Sequence, residues 1–530
     1  MTTTPDVPSA LGPLSEPADA VVAELVERDA VQRTFAADHT LWRDDPTELA
    51  DRLGWIPVVD EVLADLADVR DRCADLTTDL HVDHVLVMGM GGSSLFPEVL
   101  AQTFGPHEGC PQLHVLDSTD PAAIARVAAA CPPDRTLHVA SSKSGSTIET
   151  RSHLEWAWER SGDPARFVVI TDPGSELGAL ARERSFAEVF ENRPDIGGRY
   201  SALSLFGIVP AVLAGVDVEV LLGGARAALG ECGPDADPAA NPALALAAAL
   251  AAGVRAGRDK ATFVLDPAVD AFGLWLEQLI AESLGKDGTG VVPIVGEPLG
   301  IGEYGDDRLF VVGCLPADVP EDAPEDGRGT LAGTAAQLLA AGQPCAWLPV
   351  QAEARSLGHA VVVAELATAW AGAALGVQPF DQPDVAAAKA ATNEVLEAGG
   401  VEVPETDLKE LLGRVRPGDH LALQAFLDPE SPIATELQAV RTRLRDEHRV
   451  AVSLGFGPRF LHSTGQLHKG GPDAIVCVQV SPPDQDEIPI PGRDFGFGHL
   501  KQAQAAGDLR TLQDRGIRAA RVSLDALLAR

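Results

Sequence analysis

The stretch Thr136-Leu137-His138-Val139-Ala140-Ser141-Ser142-Lys143-Ser144-Gly145-Ser146-Thr147-Ile148-Glu149-Thr150 passes from an apolar run into a hydroxyl-rich turn and then, as far as about Arg160, into a helical pattern. It reads as a strand leading into a helix N-terminus. Free backbone N–H groups and the positive end of the helix dipole favour an anion there, and the hydroxyls and Lys143 add donors around it. A phosphate fits those groups. A helix-capping Ser/Thr turn without a ligand has the same composition, so the turn alone does not separate the two readings.

On either side of this stretch short β-rich runs alternate with helices. The spacing predicts strands at 84–88, 113–116, 136–140, 167–171 and 188–191, with helices at 95–103, 121–130 and 174–184 and a long helix from Tyr200 towards Leu213. Such alternation means an α/β unit whose parallel sheet carries helices on both faces. A linker rich in Gly, Pro, Asp and Ala at 230–242 separates it from a second α/β unit. That unit has a helix at 242–256 and strands at 261–265, 291–295, 309–312 and 346–350. Two successive units of similar size suggest a pseudo-duplicated architecture, although no repeat is visible between their sequences. The acidic stretch 316–327 reads as a solvated loop.

Residues 1–80 open with a Pro-rich tail and continue as a helical arm, whose Trp42 and Trp55 are expected to pack on the body rather than stack on a ligand. From 396 the pattern predicts a small α/β appendage, with helices at 429–447 and 498–514 and strands at 450–454, 474–480 and 519–522. The expected divisions are therefore a helical N-terminal arm at 1–80, units at 81–229 and 230–395, and the appendage at 396–530.

Composition narrows the function. With 530 residues, 45% of them hydrophobic and 22% charged, the chain can bury a large core. It lacks an uninterrupted apolar stretch of about 18 residues and a signal-peptide pattern at its start, so a cytoplasmic protein is expected. Seven scattered cysteines, none in a Cys-x-x-Cys pair, argue for reduced thiols rather than disulfides or a zinc site. A net charge of −37 repels nucleic acid and anionic membranes, so neither is an expected partner. A phosphorylated ligand must then be held by local cations and N–H groups. Only seven lysines occur, and a retained Lys marks a place where a point charge is useful.

Four further motifs carry chemistry. Gly89-Met90-Gly91-Gly92-Ser93-Ser94 follows a strand and opens a helix; Ser94 stands where a dinucleotide fingerprint wants a third Gly, so a second phosphate-facing loop fits better than NAD. Gly197-Gly198-Arg199-Tyr200-Ser201 places an Arg between a glycine turn and a helix start. In Gln278-Leu279-Ile280-Ala281-Glu282-Ser283-Leu284-Gly285-Lys286, Gln278 and Glu282 share a helical face near the helix end, where a carboxylate can act as a base or simply pair with the Lys four residues on. Phe380-Asp381-Gln382-Pro383-Asp384 leads to Lys389 on a helix of small residues.

These five segments, in this order between about residues 80 and 395, resemble the phosphoglucose isomerase family, built from two sugar-isomerase (SIS) subdomains. The resemblance implies interconversion of glucose 6-phosphate and fructose 6-phosphate through a cis-enediol, without a cofactor or metal, by a homodimer in glycolysis and gluconeogenesis. By that resemblance Ser93, Ser142, Lys143, Ser144 and Thr147 hold the phosphate. Glu282 moves the proton between C1 and C2, Arg199 stabilises the enediolate, Lys389 assists ring opening, and Gln278 and Gln382 line the sugar. The residue types fit independently, since aldose–ketose isomerisation needs a carboxylate to shuttle a proton and donors to stabilise an oxyanion. No Cys/His ligand spacing accompanies these carboxylates.

One family feature is missing. Where the family has Gly-Gln-His, whose His opens the sugar ring, this chain has Gly302-Glu303-Tyr304 after Gly296-Glu297-Pro298. The stretch Leu461-His462-Ser463-Thr464-Gly465-Gln466-Leu467-His468-Lys469 resembles the tail of the isomerase half of bifunctional transaldolase–phosphoglucose isomerases. The N-terminal stretch from Leu41 to Trp55 resembles that half's lead-in, with no transaldolase domain in this chain. The expectation is that the loop 461–472 supplies the imidazole, from His468 first and His462 second, within one chain or across a dimer interface. Two other functions remain open at this level: a non-catalytic SIS module that binds a sugar phosphate and regulates a partner, and an isomerase of another sugar phosphate such as mannose 6-phosphate.

Overall fold

A computed structural model describes residues 10–78, 80–300, 304–320, 329–484 and 486–529. The Pro-rich start of the chain, Gly302-Glu303 and most of the acidic stretch 316–327 lie outside the described residues. Among the described residues thirteen strands form three parallel sheets. The first contains β1 (His84–Met88), β2 (Gln112–Leu116), β3 (Thr136–Ser141), β4 (Phe167–Thr171) and β5 (Glu188–Glu191), and the second β6 (Lys260–Val264), β7 (Val292–Ile294), β8 (Arg308–Val312) and β9 (Cys345–Trp347). The third contains β10 (His420–Ala425), β11 (Ala451–Phe456), β12 (Ile475–Val480) and β13 (Arg518–Arg521). Helices flank every sheet, as the alternation of the sequence implies.

The three sheets share one winding. Their orders are β2-β1-β3-β4-β5, β7-β6-β8-β9 and β11-β10-β12-β13. In each, the second strand lies outside the first and the chain then crosses to the other side. The gap between first and third strands, at their C-terminal ends, is where open parallel sheets place ligands. In the first sheet that gap is bounded by the loops after Met88 and Ser141.

Two expectations change. The segment 420–425 is an unanticipated strand that forms the centre of the third sheet, with Leu421 and Leu423 both buried. The helix expected from Tyr200 instead begins at Leu205: Gly198–Tyr200 is a single 3-10 turn, and the Ser204 hydroxyl caps the helix Leu205–Leu213 by accepting from the Phe206 N–H at 3.4 Å. The turn holds Arg199 in the interior instead of on a helix surface.

The N-terminal helices belong to the same apolar core as both of the first two sheets. Trp42 donates through Nε1 to the Ala369 carbonyl (2.8 Å) and meets Phe380 edge-on, while Trp55 lies against Tyr200 at 5.1 Å, so both pack rather than stack on a ligand. One described helix, Ala354–Leu375, is long and apolar enough to span a membrane by length and composition, and it is buried in this core.

The third sheet is latched to the other two by buried charge. Arg441 donates to the carbonyls of Val295 and Gly296 (2.8 Å each) and of Val452 (2.7 Å). Glu297 joins Arg308 (3.0 Å) to the Val452 N–H (3.0 Å). Towards the first sheet, Arg459 forms a two-pronged pair with Asp117 (2.7 and 2.9 Å) and Lys501 pairs with Asp120 (2.9 Å). Such bidentate and hydrogen-bonded pairs fix orientation as well as distance. The segment 459–470 is thereby held against the mouth of the first sheet.

Candidate active site

At the C-terminal edge of β1 and β3 lies a cleft of about 320 Å³, lined by residues from all three sheet units. Its floor is a close backbone crossing. A Cβ added at Gly92 would lie 1.9 Å from the Gly198 carbonyl oxygen, so only glycine lets the Gly91–Ser93 turn approach the turn that carries Arg199. One wall is the hydroxyl-rich loop. The Ser142 hydroxyl accepts from the Gly145 N–H (3.2 Å) and lies 3.3 Å from the Thr147 hydroxyl, which shapes the turn into the helix Ile148–Ser161. Ser93, Ser142, Ser144 and Thr147 all line the cleft. The Thr147 side chain makes no capping bond, so the first N–H groups of that helix are not consumed by it.

Facing this loop is the last turn of the helix Phe272–Leu284. Glu282, 5% exposed, sits with Oε1 3.3 Å from Nη1 of Arg199, and its Oε2 accepts from the Gln278 amide at 3.1 Å. Arg199, 1% exposed, is held by the Ser283 hydroxyl (2.9 Å) and the carbonyls of Pro379 (2.9 Å) and Asp381 (2.8 Å). A carboxylate and a fixed guanidinium therefore meet at one point of the cleft wall. The Lys286 ammonium, pushed down to about 7 mainly by burial, binds the carbonyls of Gln378 (2.6 Å) and Asp381 (2.7 Å) and the Asp381 carboxylate (2.5 Å). It anchors the loop leading to Gln382, which lines the cleft, as does Lys389 from the helix Val385–Glu397.

The remaining wall comes from the third unit. His462 lines the cleft, its backbone carbonyl accepts from Gln278 Nε2 (2.9 Å), and its own Nε2 lies 2.8 Å from Oε1 of Glu149. Burial would raise the Glu149 carboxyl, but the charge and hydrogen bond of His462 override it and bring it down to about 2. An ionised carboxylate only accepts, so Nε2–H of His462 donates to it and Nδ1 is the ring nitrogen left for a ligand. Gln504 completes the arrangement by donating to Glu149 (2.7 Å) while accepting from Thr119 (2.8 Å).

Residues 35–306 match the phosphoglucose isomerase family model. The chain is also 34% identical over 407 residues to a glucose-6-phosphate isomerase of Rubrobacter xylanophilus, a match that covers 68% of this chain and 91% of that one. The chain belongs to the phosphoglucose isomerase family. Among solved structures, a hypothetical protein of Thermus thermophilus is 26% identical with a TM-score of 0.57, covering 73% of this chain and 98% of that one. A glucose-6-phosphate isomerase of Chlamydia trachomatis shares the fold at 19% identity, with a TM-score of 0.58 over 73% of this chain and 86% of that one.

Of the site residues inferred from the phosphoglucose isomerase motifs, all but one line this cleft. The exception is His468. It lies in the short helix Gly465–Gly470, 3% exposed, with Nδ1 3.1 Å from the Gln424 amide and its ring near His420 and Phe460. Burial, with the neighbouring Lys469 charge, pushes it down to about 3. It is a neutral core histidine of the third unit, and His462 occupies the place in the cleft expected of it. Lys143 lines the cleft, but its ammonium is engaged by Asp172 (2.5 Å) and the Pro194 carbonyl (2.7 Å), so it fixes the loop to the end of β4. Tyr304 is remote from the cleft; its hydroxyl binds the backbone of Gly300 (2.9 and 3.0 Å).

Proposed function

We propose that this chain interconverts glucose 6-phosphate and fructose 6-phosphate, with the phosphate on the loop of Ser93, Ser142, Ser144 and Thr147 and the sugar carbons reaching towards Glu282. The observation that carries the reading is the meeting of Glu282, Arg199 and the Glu149–His462 pair around one phosphate-sized loop. A module that merely binds sugar phosphates needs the loop but neither the base nor the imidazole.

The chemistry runs in balanced steps. His462 gives a proton to the ring oxygen as the C–O bond of the cyclic sugar breaks, and the proton lost by the anomeric hydroxyl passes to the imidazole so formed, which restores His462 while Lys389 donates a hydrogen bond to the anomeric oxygen. In the open aldose Glu282 takes the proton from C2, and the electron pair moves onto the C1 oxygen as a cis-enediolate. Arg199, whose guanidinium is already fixed beside Glu282, stabilises that negative charge without reorganising. A proton passes from the C2 to the C1 oxygen, and Glu282 returns its proton to C1 to give the ketose. Gln278 carries a buried Oε1 without a protein partner and serves as an acceptor for a sugar hydroxyl.

The imidazole and the base come from the same chain, so this reading needs no second copy in the cleft; a cytoplasmic enzyme acting on its substrate as a monomer or a homodimer fits it equally. The test is a coupled assay for glucose 6-phosphate formation from fructose 6-phosphate by purified protein in the presence of a chelator. Turnover above about 1 s⁻¹, the lower end of ordinary enzymes, is expected. No turnover on either sugar phosphate, with sugar-phosphate binding intact, would return the chain to the binding-module reading.

A further inference from the structure

His84, His114 and Cys131 have no part in the cleft chemistry. They lie towards the other end of the first sheet, where β1 begins and where the helix Pro121–Ala130 ends before β3. In the parallel register Leu86 pairs with His114 and His84 with Gln112, so the two histidines sit two residues apart on adjacent strands and face the same side. Nδ1 of His84 is 3.1 Å from Nε2 of His114, with the rings tilted by 53°. Ligand atoms of all three side chains lie within 4.8 Å of one another, the one such His/Cys/Asp/Glu group among the described residues.

We propose that His84, His114 and Cys131 bind one zinc ion, as a clip that ties β1, β2 and the helix Pro121–Ala130 together. Tetrahedral zinc, with bonds of about 2.0–2.1 Å to nitrogen and about 2.3 Å to sulfur, sets its nitrogen ligands roughly 3.3 Å apart and nitrogen and sulfur roughly 3.6 Å apart. The imidazole pair, at 3.1 Å, stands close to that separation, and with all ligand atoms within 4.8 Å of one another the thiol must close by at most about 1.2 Å. Two imidazoles and a thiolate are the donor set of a borderline-soft cation and not of magnesium or calcium. Both histidines are half-buried, so water can take the fourth position, whereas Cys131 lies in the apolar cluster with Leu86, Leu116, Ile124 and Val127.

Burial, then the neighbouring His84 and Arg126, hold His114 down to about 4, so it is neutral and has a lone pair to give at pH 7. Burial pushes the Cys131 thiol up to about 12, so zinc binds as the thiol S–H bond breaks and one proton is released to solvent. The nearby cations are accounted for: Arg126 is paired with Asp428 (3.0 Å) and Glu430 (2.8 Å), and Arg160, which acts on Cys131, donates to the Ala128 carbonyl (3.3 Å). The competing arrangement is an imidazole–imidazole hydrogen bond beside an inert core thiol, which needs no metal.

The experiment uses the full chain, stripped of metal and titrated with cobalt(II) as a spectroscopic substitute and then with zinc. One equivalent of cobalt is expected to produce a near-ultraviolet sulfur-to-cobalt charge-transfer band that zinc abolishes. Zinc is expected to raise the thermal unfolding midpoint while the isomerase rate is unchanged with or without chelator. Cys131→Ser should lose the band, and His84→Gln should weaken zinc by at least about tenfold, the smallest loss usual for perturbing a zinc ligand's surroundings. Absence of the band at one equivalent, or its persistence in Cys131→Ser, overturns the site. Should Cys131→Ser fail to fold, His84→Gln decides, because unaltered zinc affinity there overturns it too.

Discussion

Replacing His462 by glutamine separates ring opening from proton transfer between carbons. In the native cleft Glu149 is 4% exposed and its carboxyl is brought from the ordinary 4.5 down to about 2, chiefly against burial and through His462. A displacement of that size is worth on the order of 3 kcal/mol. This contribution is fully present above the ordinary carboxylate range and is lost as pH falls through about 2. A glutamine in place of the imidazole keeps an N–H donor for Glu149 but not the charge, so the variant should lose about 1–3 kcal/mol of stability and unfold at a higher pH on acid titration. Its larger effect is on rate. A positioned general acid–base group contributes about 10²- to 10⁴-fold, so kcat/KM with cyclic fructose 6-phosphate should fall by that range. The paired assay uses the 5-deoxy analogue, which lacks the hydroxyl that closes the ring and presents an open ketose to Glu282. Its rate should stay within a few-fold of the native value. Equal loss on both substrates, or loss on neither, would refute the role given to His462.

Glu282→Gln should lower kcat by about 10²- to 10⁴-fold while leaving the affinity for a competitive sugar-phosphate inhibitor nearly unchanged, as calorimetry would show; a variant that keeps most of its rate removes Glu282 as the base. Ser142→Ala with Thr147→Ala should raise KM for fructose 6-phosphate, at about 1.5–3 kcal/mol for each charge-assisted hydrogen bond lost, and unchanged affinity would move the phosphate elsewhere. His468→Gln should leave kcat unaltered. Because His468 is held neutral down to about 3, the unfolded chain takes up its proton first as pH drops below 6.5, and stability is lost between those values. The variant should therefore show a shallower fall in denaturant-measured stability from pH 7 to 5, by at most about 1.4 kcal/mol per pH unit, and an unchanged slope would contradict its burial as a neutral imidazole.

The parts of the site that can be read from sequence are those written in one continuous stretch. The phosphate loop and the Gln278–Glu282 face depend on local geometry, turn into helix or four residues along one face, and local geometry follows from local pattern. Pairing across the chain does not. Glu149 stands inside the quoted loop, yet its partner is 313 residues away, and Lys143 looks like a phosphate ligand until Asp172 and the Pro194 carbonyl are brought to it. His462 and His468 share one Gly-rich stretch, and the decisive difference is that a helical turn beginning at Gly465 sends His468 towards Gln424 and the third sheet. The strand at 420–425 escapes the pattern because His-Leu-Ala-Leu-Gln-Ala holds no β-branched or aromatic residue, and with all six residues buried it shows no clean alternation of polar and apolar positions. The His84–His114–Cys131 group evades spacing rules because its members come from two strands and a helix end.

The cleft draws the loop proposed for phosphate, the proposed base Glu282 and the imidazole of His462 from successive thirds of the chain, and a nascent polypeptide leaves the ribosome N-terminus first. The loop at 142–147 and Glu282 are therefore made well before His462, and Gln504, which steadies Glu149, comes later still. By the proposed roles, a chain released before residue 462 lacks the group that opens the sugar ring. By the same roles, competence on the cyclic sugar arrives late in translation, once the third sheet has closed over the first two.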